Sequence, residues 1–243
     1  MRALFICEDD LSKLFWGAVH DLIDIIPDLD SKLDQILGVT RDIQRNFPAD
    51  QAGTIDRRTS KELYALSRYF QPRIVCEVGT YIGRSALIVS SGAGGTVTEL
   101  HTCDYSFDQF ILPPDIEGDY VARSALHYYP KTGSTQMFDQ MIPRMKGLVD
   151  FFFIDGRLNS DDVMRIAELM SKDAVIVLDD FEGVEKGVIN AVALATELKN
   201  YVLIRPSLSL TSSGRQLLGK TALMLPANLL RITRQQRQPF GSF

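Results

Sequence analysis

An α/β fold is what this sequence predicts: a doubly wound, mostly parallel seven-stranded sheet preceded by a helical region. Two observations predict it. From Arg73 onward, short apolar runs alternate with amphipathic segments, the rhythm of strand–helix–strand units joined by right-handed crossovers. Most of the runs are continuous rather than alternating, which marks strands covered on both faces. At 243 residues, 45% of them hydrophobic and 23% charged, the chain has the composition of an ordinary globular protein and enough length for a large buried core.

Residues 11–45 carry apolar side chains at helical spacing, first Leu14, Phe15, Ala18, Val19 and Leu22, then Leu33, Ile36 and Leu37, and so predict one or two amphipathic helices. Asp28 to Ser31, following Pro27, is the break between them. Residues 47–54, with Pro48 and Gly53, read as a polar connector. Thr59 and Glu62 have the spacing of a capping box for a helix that runs to Phe70, with Leu63, Leu66 and Phe70 on one face. Gln71-Pro72 ends it. Strands are predicted at 74–78, 97–103, 148–154, 174–178, 201–204 and 222–225, and helices at 85–90, 135–145, 161–170 and 184–198. Residues 105–131, with Pro113 and Pro114 and many Tyr, Phe and Asp, are too long for an ordinary connection. They read as a functional lid, as a short helix with a third strand near 125–129, or as both.

Charge and cysteine usage narrow the partners. With 26 Lys+Arg against 31 Asp+Glu and a formal net charge of -5, the surface disfavours a nucleic-acid backbone. Arg231, Arg234 and Arg237 make a thin basic tail, read as a solvated end. Cys7, Cys76 and Cys103 show no CxxC spacing and are too few for a disulfide framework, which points to a reducing compartment. Cys76 and Cys103, inside strands, read as small apolar residues and not as nucleophiles. No uncharged apolar run reaches bilayer length, and the acidic start at Glu8, Asp9 and Asp10 is unlike a signal peptide. The expectations are a cytoplasmic location and no membrane partner.

In open parallel sheets ligands bind beyond the carboxyl ends of the strands, beside the point where strand order reverses. After the first run comes Glu77-Val78-Gly79-Thr80-Tyr81-Ile82-Gly83-Arg84-Ser85. Gly79 and Gly83 allow a sharp turn and a close backbone approach to a ligand, or serve the turn alone. The spacing fits neither the dinucleotide fingerprint nor a P-loop, and an acid at the strand end suits a ligand that carries positive charge. The second run ends in His101-Thr102-Cys103-Asp104, so Asp104 stands 25 residues after Gly79. A strand-tip acid either holds a ribose diol or caps a turn.

Two further runs also finish in acids, at Ile154-Asp155 and at Leu178-Asp179-Asp180. The 24 residues from Asp155 to Asp179 make one strand–helix–strand unit, which makes neighbours of the two strand ends. Three converging carboxylates repel one another unless a cation neutralises them. A hard divalent ion with oxygen ligands does so. The alternative is that Asp179 and Asp180 cap the following helix while Asp155 starts the turn at Gly156. Lys186, about one helical turn beyond the acids, is read as solvated. Tyr81, Phe107, Phe110, Tyr128 and Phe181 either enclose a flat ligand or belong to the core.

The ordered set from Cys76 to Asp104 resembles the first two motifs of the class I S-adenosylmethionine-dependent methyltransferases, and the likeness covers about residues 55–225. Gly133-Ser134-Thr135-Gln136 is similar to the segment near the adenine in that family. The resemblance implies a Rossmann-like fold with S-adenosylmethionine against Glu77, Gly79, Thr80, Tyr81, Gly83, Ser85, Asp104, Gly133, Ser134 and Asp155. The acid trio resembles the metal site of catechol-type and macrocin-type O-methyltransferases, which implies magnesium on Asp155, Asp179 and Asp180. Catechol-type enzymes have a lysine where Leu158 stands, and relatives with Asp-Gly-Asp-His differ at Arg157 and Leu158, so the general base is open. Asp155 and His127 are the catalytic candidates. His127, near the end of the third strand or in the lid, either titrates as a base near neutrality or is packed.

The function expected is metal-assisted O-methylation of a small-molecule hydroxyl such as a sugar, catechol or other diol. Three alternatives stay open: a metal-independent methyltransferase, a nicotinamide-dependent oxidoreductase, and a binding protein without turnover. Residues 1–54 are expected to form a helical lid or dimerisation region and residues 55–243 the cofactor-binding domain. The apolar stripes of the N-terminal helices need a cover, either their own sheet domain or a second subunit, and a homodimer is the expected assembly.

Overall fold

The structure is a computed structural model that describes residues 9–44, 55–105, 125–181, 184–206, 208–210 and 216–229. The 47–54 connector, most of the 105–131 loop with Phe107 and Phe110, Cys7 and the tail arginines lie outside the described residues.

Three helices come first: α1 (Asp9–Ile25), α2 (Leu29–Gln44) and α3 (Arg57–Phe70). The break between α1 and α2 falls where Asp28 takes a left-handed backbone, φ 56°. On α1 the buried stripe is Leu11, Trp16, Val19 and Leu22, whereas Leu14 is 62% exposed. Ala18, Val19 and Leu22 of the predicted stripe are buried, and in place of Leu14 the core takes Trp16, whose Nε1–H donates to the Arg205 carbonyl at 2.6 Å. At the start of α3, Asp56 is the cap, and its carboxylate accepts from the Thr59 N–H at 2.8 Å. The capping box predicted from Thr59 and Glu62 does not form. Asp56 starts the helix earlier, and Glu62 turns inward, 2% exposed, to accept from Arg58 Nε at 3.0 Å.

The α/β part then runs β1 (Ile74–Val78), α4 (Arg84–Gly92), β2 (Glu99–Asp104), β3 (Ala125–Pro130), α5 (Ser134–Met145), β4 (Val149–Ile154), α6 (Asp162–Leu169) and β5 (Met170–Leu178). A π-helical turn (Val184–Val188) leads into α7 (Ile189–Glu197), followed by β6 (Tyr201–Ile204), β7 (Leu208–Leu210), β8 (Gln216–Leu218) and β9 (Ala222–Pro226). Seven strands form one sheet in the order β3-β2-β1-β4-β5-β9-β6. β9 runs antiparallel to both neighbours and the other pairs are parallel. The sheet is therefore mostly parallel, as the continuous apolar runs predict. β7 and β8 make a separate antiparallel pair that the sequence did not predict, each only three residues long and so too short for a periodic signal. β5 begins at Met170 and not at Ala174 because its first half carries exposed Lys172 and Asp173.

Side chains alternate between two cores. Val75, Phe151, Phe153, Val175 and Val177 face a layer that includes Leu22, Leu33, Ile36, Leu63 and Leu87. Cys76, Phe152, Ile154, Ile176 and Leu178 face Phe138 and Met141 of α5 and Ile166 of α6. The stripes of α1 and α2 are thus covered by the chain's own sheet layer, the first of the two alternatives. Cys76 and Cys103 are buried, and burial above all pushes the Cys103 thiol up to about 12, which suits packing and not nucleophilic attack. No described helix is long and apolar enough to cross a membrane.

Removing the Trp16 side chain deletes about 3–5 kcal/mol of packing from this layer, whereas Leu14→Ala stays within about 0.5 kcal/mol of wild type. Urea unfolding of Trp16→Ala and Leu14→Ala checks the register of α1.

Candidate functional site

Strand order reverses at β1, which has β2 on one side and β4 on the other, so a crevice opens beyond their carboxyl ends. Val78 pairs with both Cys103 and Ile154, and Ile154 pairs with Leu178. The next residues of these four strands, Gly79, Asp104, Asp155 and Asp179, therefore stand along one edge of the sheet. Backbone bonds extend the alignment past the strands. Gly79 N–H donates to the Cys103 carbonyl at 3.0 Å, Asp155 N–H to Val78 at 2.9 Å and Asp179 N–H to Ile154 at 3.1 Å. A cleft of about 620 Å³ covers the edge, lined among others by Gly79, Asp104, Gly133, Ser134, Asp155 and Lys186.

The turn after β1 has a backbone that only glycine adopts freely at its first position. Gly79 has φ 101°, and a Cβ there would sit 3.2 Å from the Asp155 carbonyl carbon and from the Gly156 nitrogen. Tyr81 and Gly83 are also left-handed, φ 46° and 78°, and Gly83 opens α4 without any side-chain cap. Asp104 fixes the turn from the next strand by accepting from the Tyr81 N–H at 2.7 Å. Thr80, Tyr81 and Ser85 line a small pocket beside Gly79. Beneath it Glu77 is 2% exposed, its carboxylate accepting from Thr102 Oγ1 at 2.5 Å with the Ser85 hydroxyl as a second neighbour. Burial is the main reason its pKa rises from 4.5 to about 8.

On the β3 side, Gly133 and Ser134 begin α5. A residue that the sequence reading did not single out holds them there. Fully buried Asp162 accepts from Ser134 Oγ at 2.5 Å, Thr135 Oγ1 at 2.6 Å and Asn159 N–H at 2.8 Å.

Asp155, Asp179 and Asp180 each bring a carboxylate oxygen within 4.8 Å of the others. Burial first, then the other two acids, pushes Asp179 up to about 8. Asp155 rises to about 7, again chiefly by burial, although Lys186 opposes the shift. Asp179 is 3% exposed, and its Oδ1 is buried without a hydrogen-bond partner. An orphaned buried oxygen beside two further carboxylates is a donor set that fits a hard cation.

Lys186 corrects the expectation of a solvated side chain. Its Nζ lies 2.6 Å from Asp180 Oδ2 and 3.4 Å from Asp155 Oδ1. Burial alone would lower its pKa, but the bond to Asp180 and the charges of both acids raise it. The lysine reaches the acids because the π-turn packs tightly under them: a Cβ on Gly187 would lie 2.5 Å from the Asp179 carbonyl oxygen. That glycine directly after the lysine was the sequence signal.

His127 is not brought to this site. It pairs in register with His101, whereas Asp104 pairs with Pro130 three residues further along β3. Its ring stacks on His101 at 4.4 Å, on the inner part of the sheet edge. A titrating histidine at a strand end was expected, and strand β3 simply continues past it. Phe181 packs against the core, not into the cleft.

No protein-family model matches the chain, and no curated protein sequence matches it. Solved structures do. The O-methyltransferase TomG from Streptomyces achromogenes, in complex with S-adenosylmethionine, has TM-score 0.57 and 17% identity over 79% of this chain and 90% of that one. A methyltransferase from Geobacter sulfurreducens has TM-score 0.56 and 15% identity over 92% and 98%. An O-methyltransferase from Bacillus cereus, in complex with S-adenosylhomocysteine, has TM-score 0.51 and 17% identity over 86% and 96%. The chain has the Rossmann-like fold of these methyltransferases.

The buried acid gives a pH signature. A carboxyl raised on folding keeps its proton longer in the native chain than in the unfolded one, so stability falls as pH climbs from 4.5 towards about 8 and levels off above that. In the ligand-free protein the Tm of wild type falls over this window, and in Glu77→Gln it falls less.

Proposed function

We propose that this chain is a methyltransferase that moves the methyl group of S-adenosylmethionine to a hydroxyl oxygen of a small molecule, with a divalent cation, magnesium by preference, on Asp155, Asp179 and Asp180. The alignment of Gly79, Asp104, Asp155 and Asp179 on one sheet edge, with the first three lining one cleft, carries this reading. The fold shared with O-methyltransferases supports it.

Each residue has a task that its position supports. The left-handed backbone at Gly79 leaves room for the amino-acid end of the cofactor, and Glu77 beneath the turn, raised to about 8 without a ligand, takes up negative charge as a cationic ligand lowers its pKa. Asp104, already oriented by the Tyr81 N–H, faces the ribose hydroxyls. The start of α5 at Gly133 and Ser134 adjoins the adenine. An in-line displacement needs chiefly alignment and a favourable field, which a rigid strand edge provides. When bound, the metal contributes Lewis acidity that lowers a hydroxyl's pKa and orients vicinal oxygens. Asp155, shared between the cofactor side and the acid cluster, positions the two reactants relative to each other. The N-terminal helices are proposed to cover the acceptor, and the chain is proposed to work as a cytoplasmic homodimer.

Lys186 favours a second reading. One ammonium already bridges Asp180 and Asp155, so the same cleft can orient an acceptor oxygen by a lysine charge in place of a metal.

The deciding assay measures S-adenosylhomocysteine formed from a panel of diols, with magnesium or with chelator. Loss in chelator and recovery with magnesium support the first reading. Turnover that survives chelator and disappears in Lys186→Met supports the second. No product from any acceptor, with tight binding of nicotinamide cofactors, sinks both. In calorimetry, Asp104→Ala weakens S-adenosylhomocysteine binding by about tenfold to a hundredfold, the worth of one charge-assisted hydrogen-bond pair.

A further inference from the structure

The geometry points to a second metal site, formed by Glu99, His101 and His127 at the edge of the sheet, that takes a zinc-type transition metal ion. The three residues offer one carboxylate oxygen and two imidazole nitrogens within 4.8 Å of one another. This is the borderline-soft donor set that selects zinc, cobalt or nickel, unlike the all-carboxylate cluster at Asp155.

The spacing matches a tetrahedral ion. Bonds of about 2.0–2.1 Å to a tetrahedral centre put neighbouring ligand atoms about 3.3 Å apart. Glu99 Oε2 lies 3.2 Å from His101 Nε2 and 3.5 Å from His127 Nε2. Both rings thus present the same nitrogen to the same oxygen. The backbone fixes this: Glu99 and His101 are two apart on β2 and share a face, and register places His127 of β3 directly beside His101. His101 is 2% exposed, and its other nitrogen, Nδ1, lies 3.0 Å from Tyr129 Oη. A hydrogen bond there orients the ring and leaves Nε2 as the coordinating atom. His127 Nε2 is buried and has no hydrogen-bond partner.

The protonation state suits a metal as well. Burial and the adjacent His127 ring both hold the His101 imidazole below its ordinary pKa. Arg144 of α5, whose charge His101 also senses, is the opposing cation. The two rings stack with planes 11° apart, so His101 keeps the orientation that Tyr129 gives it and the more exposed His127 turns about its Cβ–Cγ bond to aim Nε2 at the point His101 faces. That torsion is broad in histidine. Glu99 begins β2 and Asp104 ends it, a separation of about 16 Å along the strand. The ion would therefore clip edge strand β3 to β2, away from the cleft.

The test uses the full chain, stripped with chelator and kept in excess magnesium so that the acid cluster is occupied or irrelevant. Calorimetry with zinc chloride is expected to give one ion per chain at micromolar or tighter affinity. His127→Gln and Glu99→Gln each weaken it by about tenfold or more, whereas Asp180→Asn leaves it within about threefold. His127 is partly exposed, and the far-ultraviolet circular dichroism of its variant reports folding. Cobalt(II) bound to wild type is expected to show visible bands of a low-coordinate site, absent from His127→Gln, and zinc raises the wild-type Tm. The proposal is overturned if wild type binds no zinc, if the two variants bind as wild type does, or if only Asp180→Asn loses binding. The last result would assign the ion to the acid cluster.

Discussion

Parallel pairing in step across β2, β1, β4 and β5 brings one glycine and three aspartates to one line. Because strand side chains alternate, a slip of one residue in any of these pairs would turn the acid at that strand's end towards the opposite face. The register is secured from below by Phe151, Phe152 and Phe153, each buried and each committed to one of the two cores. It is secured above by backbone bonds that continue past the strand ends. The missing side chain of Gly79 then lets the turn after β1 approach the Asp155 backbone. Packing in the core and geometry at the cleft are one constraint seen at two heights.

The same alignment creates an electrostatic problem. Glu77, Asp155 and Asp179 are nearly removed from water, and burial drives all three upward in pKa. Sites that serve only the fold rarely hold such groups, because a buried carboxylate is stabilising only when paired. Two local distortions accompany them: Asp180 is left-handed, φ 54°, and the chain that follows winds into a π-turn. Both are conformations that cluster at functional sites. Their joint effect is to aim Lys186 back at Asp180 and Asp155. One ammonium against three carboxylates leaves the cluster short of positive charge, which protons or a divalent ion must supply.

Much of the fold was legible because its signals are local and repeated. Continuous apolar runs bounded by glycines and acids gave the strands of the sheet, and glycine turns gave the helix starts. What escaped depended on partners far apart in sequence. Trp16 took the buried face of α1 from Leu14 because a carbonyl 189 residues away accepts its N–H. Asp162 looked like an ordinary first-turn acid, and only the fold brings α5 to it. Lys186 looked solvated because helical periodicity was assumed where a π-turn occurs. His127 was read as a strand-end residue although its strand runs on to Pro130. In each case the residue type was informative and its neighbours were not visible.

The N-terminal helices bear on the cleft through one buried cation. Arg84 is the first residue of α4, directly after the glycine turn, and is 8% exposed. Its guanidinium donates to Thr40 Oγ1 of α2 at 2.9 Å and to the Ile55 carbonyl at 3.3 Å. Thr40 is itself tied to its own helix by a bond to the Ile36 carbonyl at 2.8 Å. A movement of α2 away from the sheet would therefore remove one hydrogen bond from a buried guanidinium, a change that costs more than breaking a surface contact. Since Arg84 follows the glycine turn and lines the small pocket beside Gly79, α2 and that pocket are mechanically joined. Displacing α2 from this junction would therefore disturb the start of α4 and the glycine turn before it.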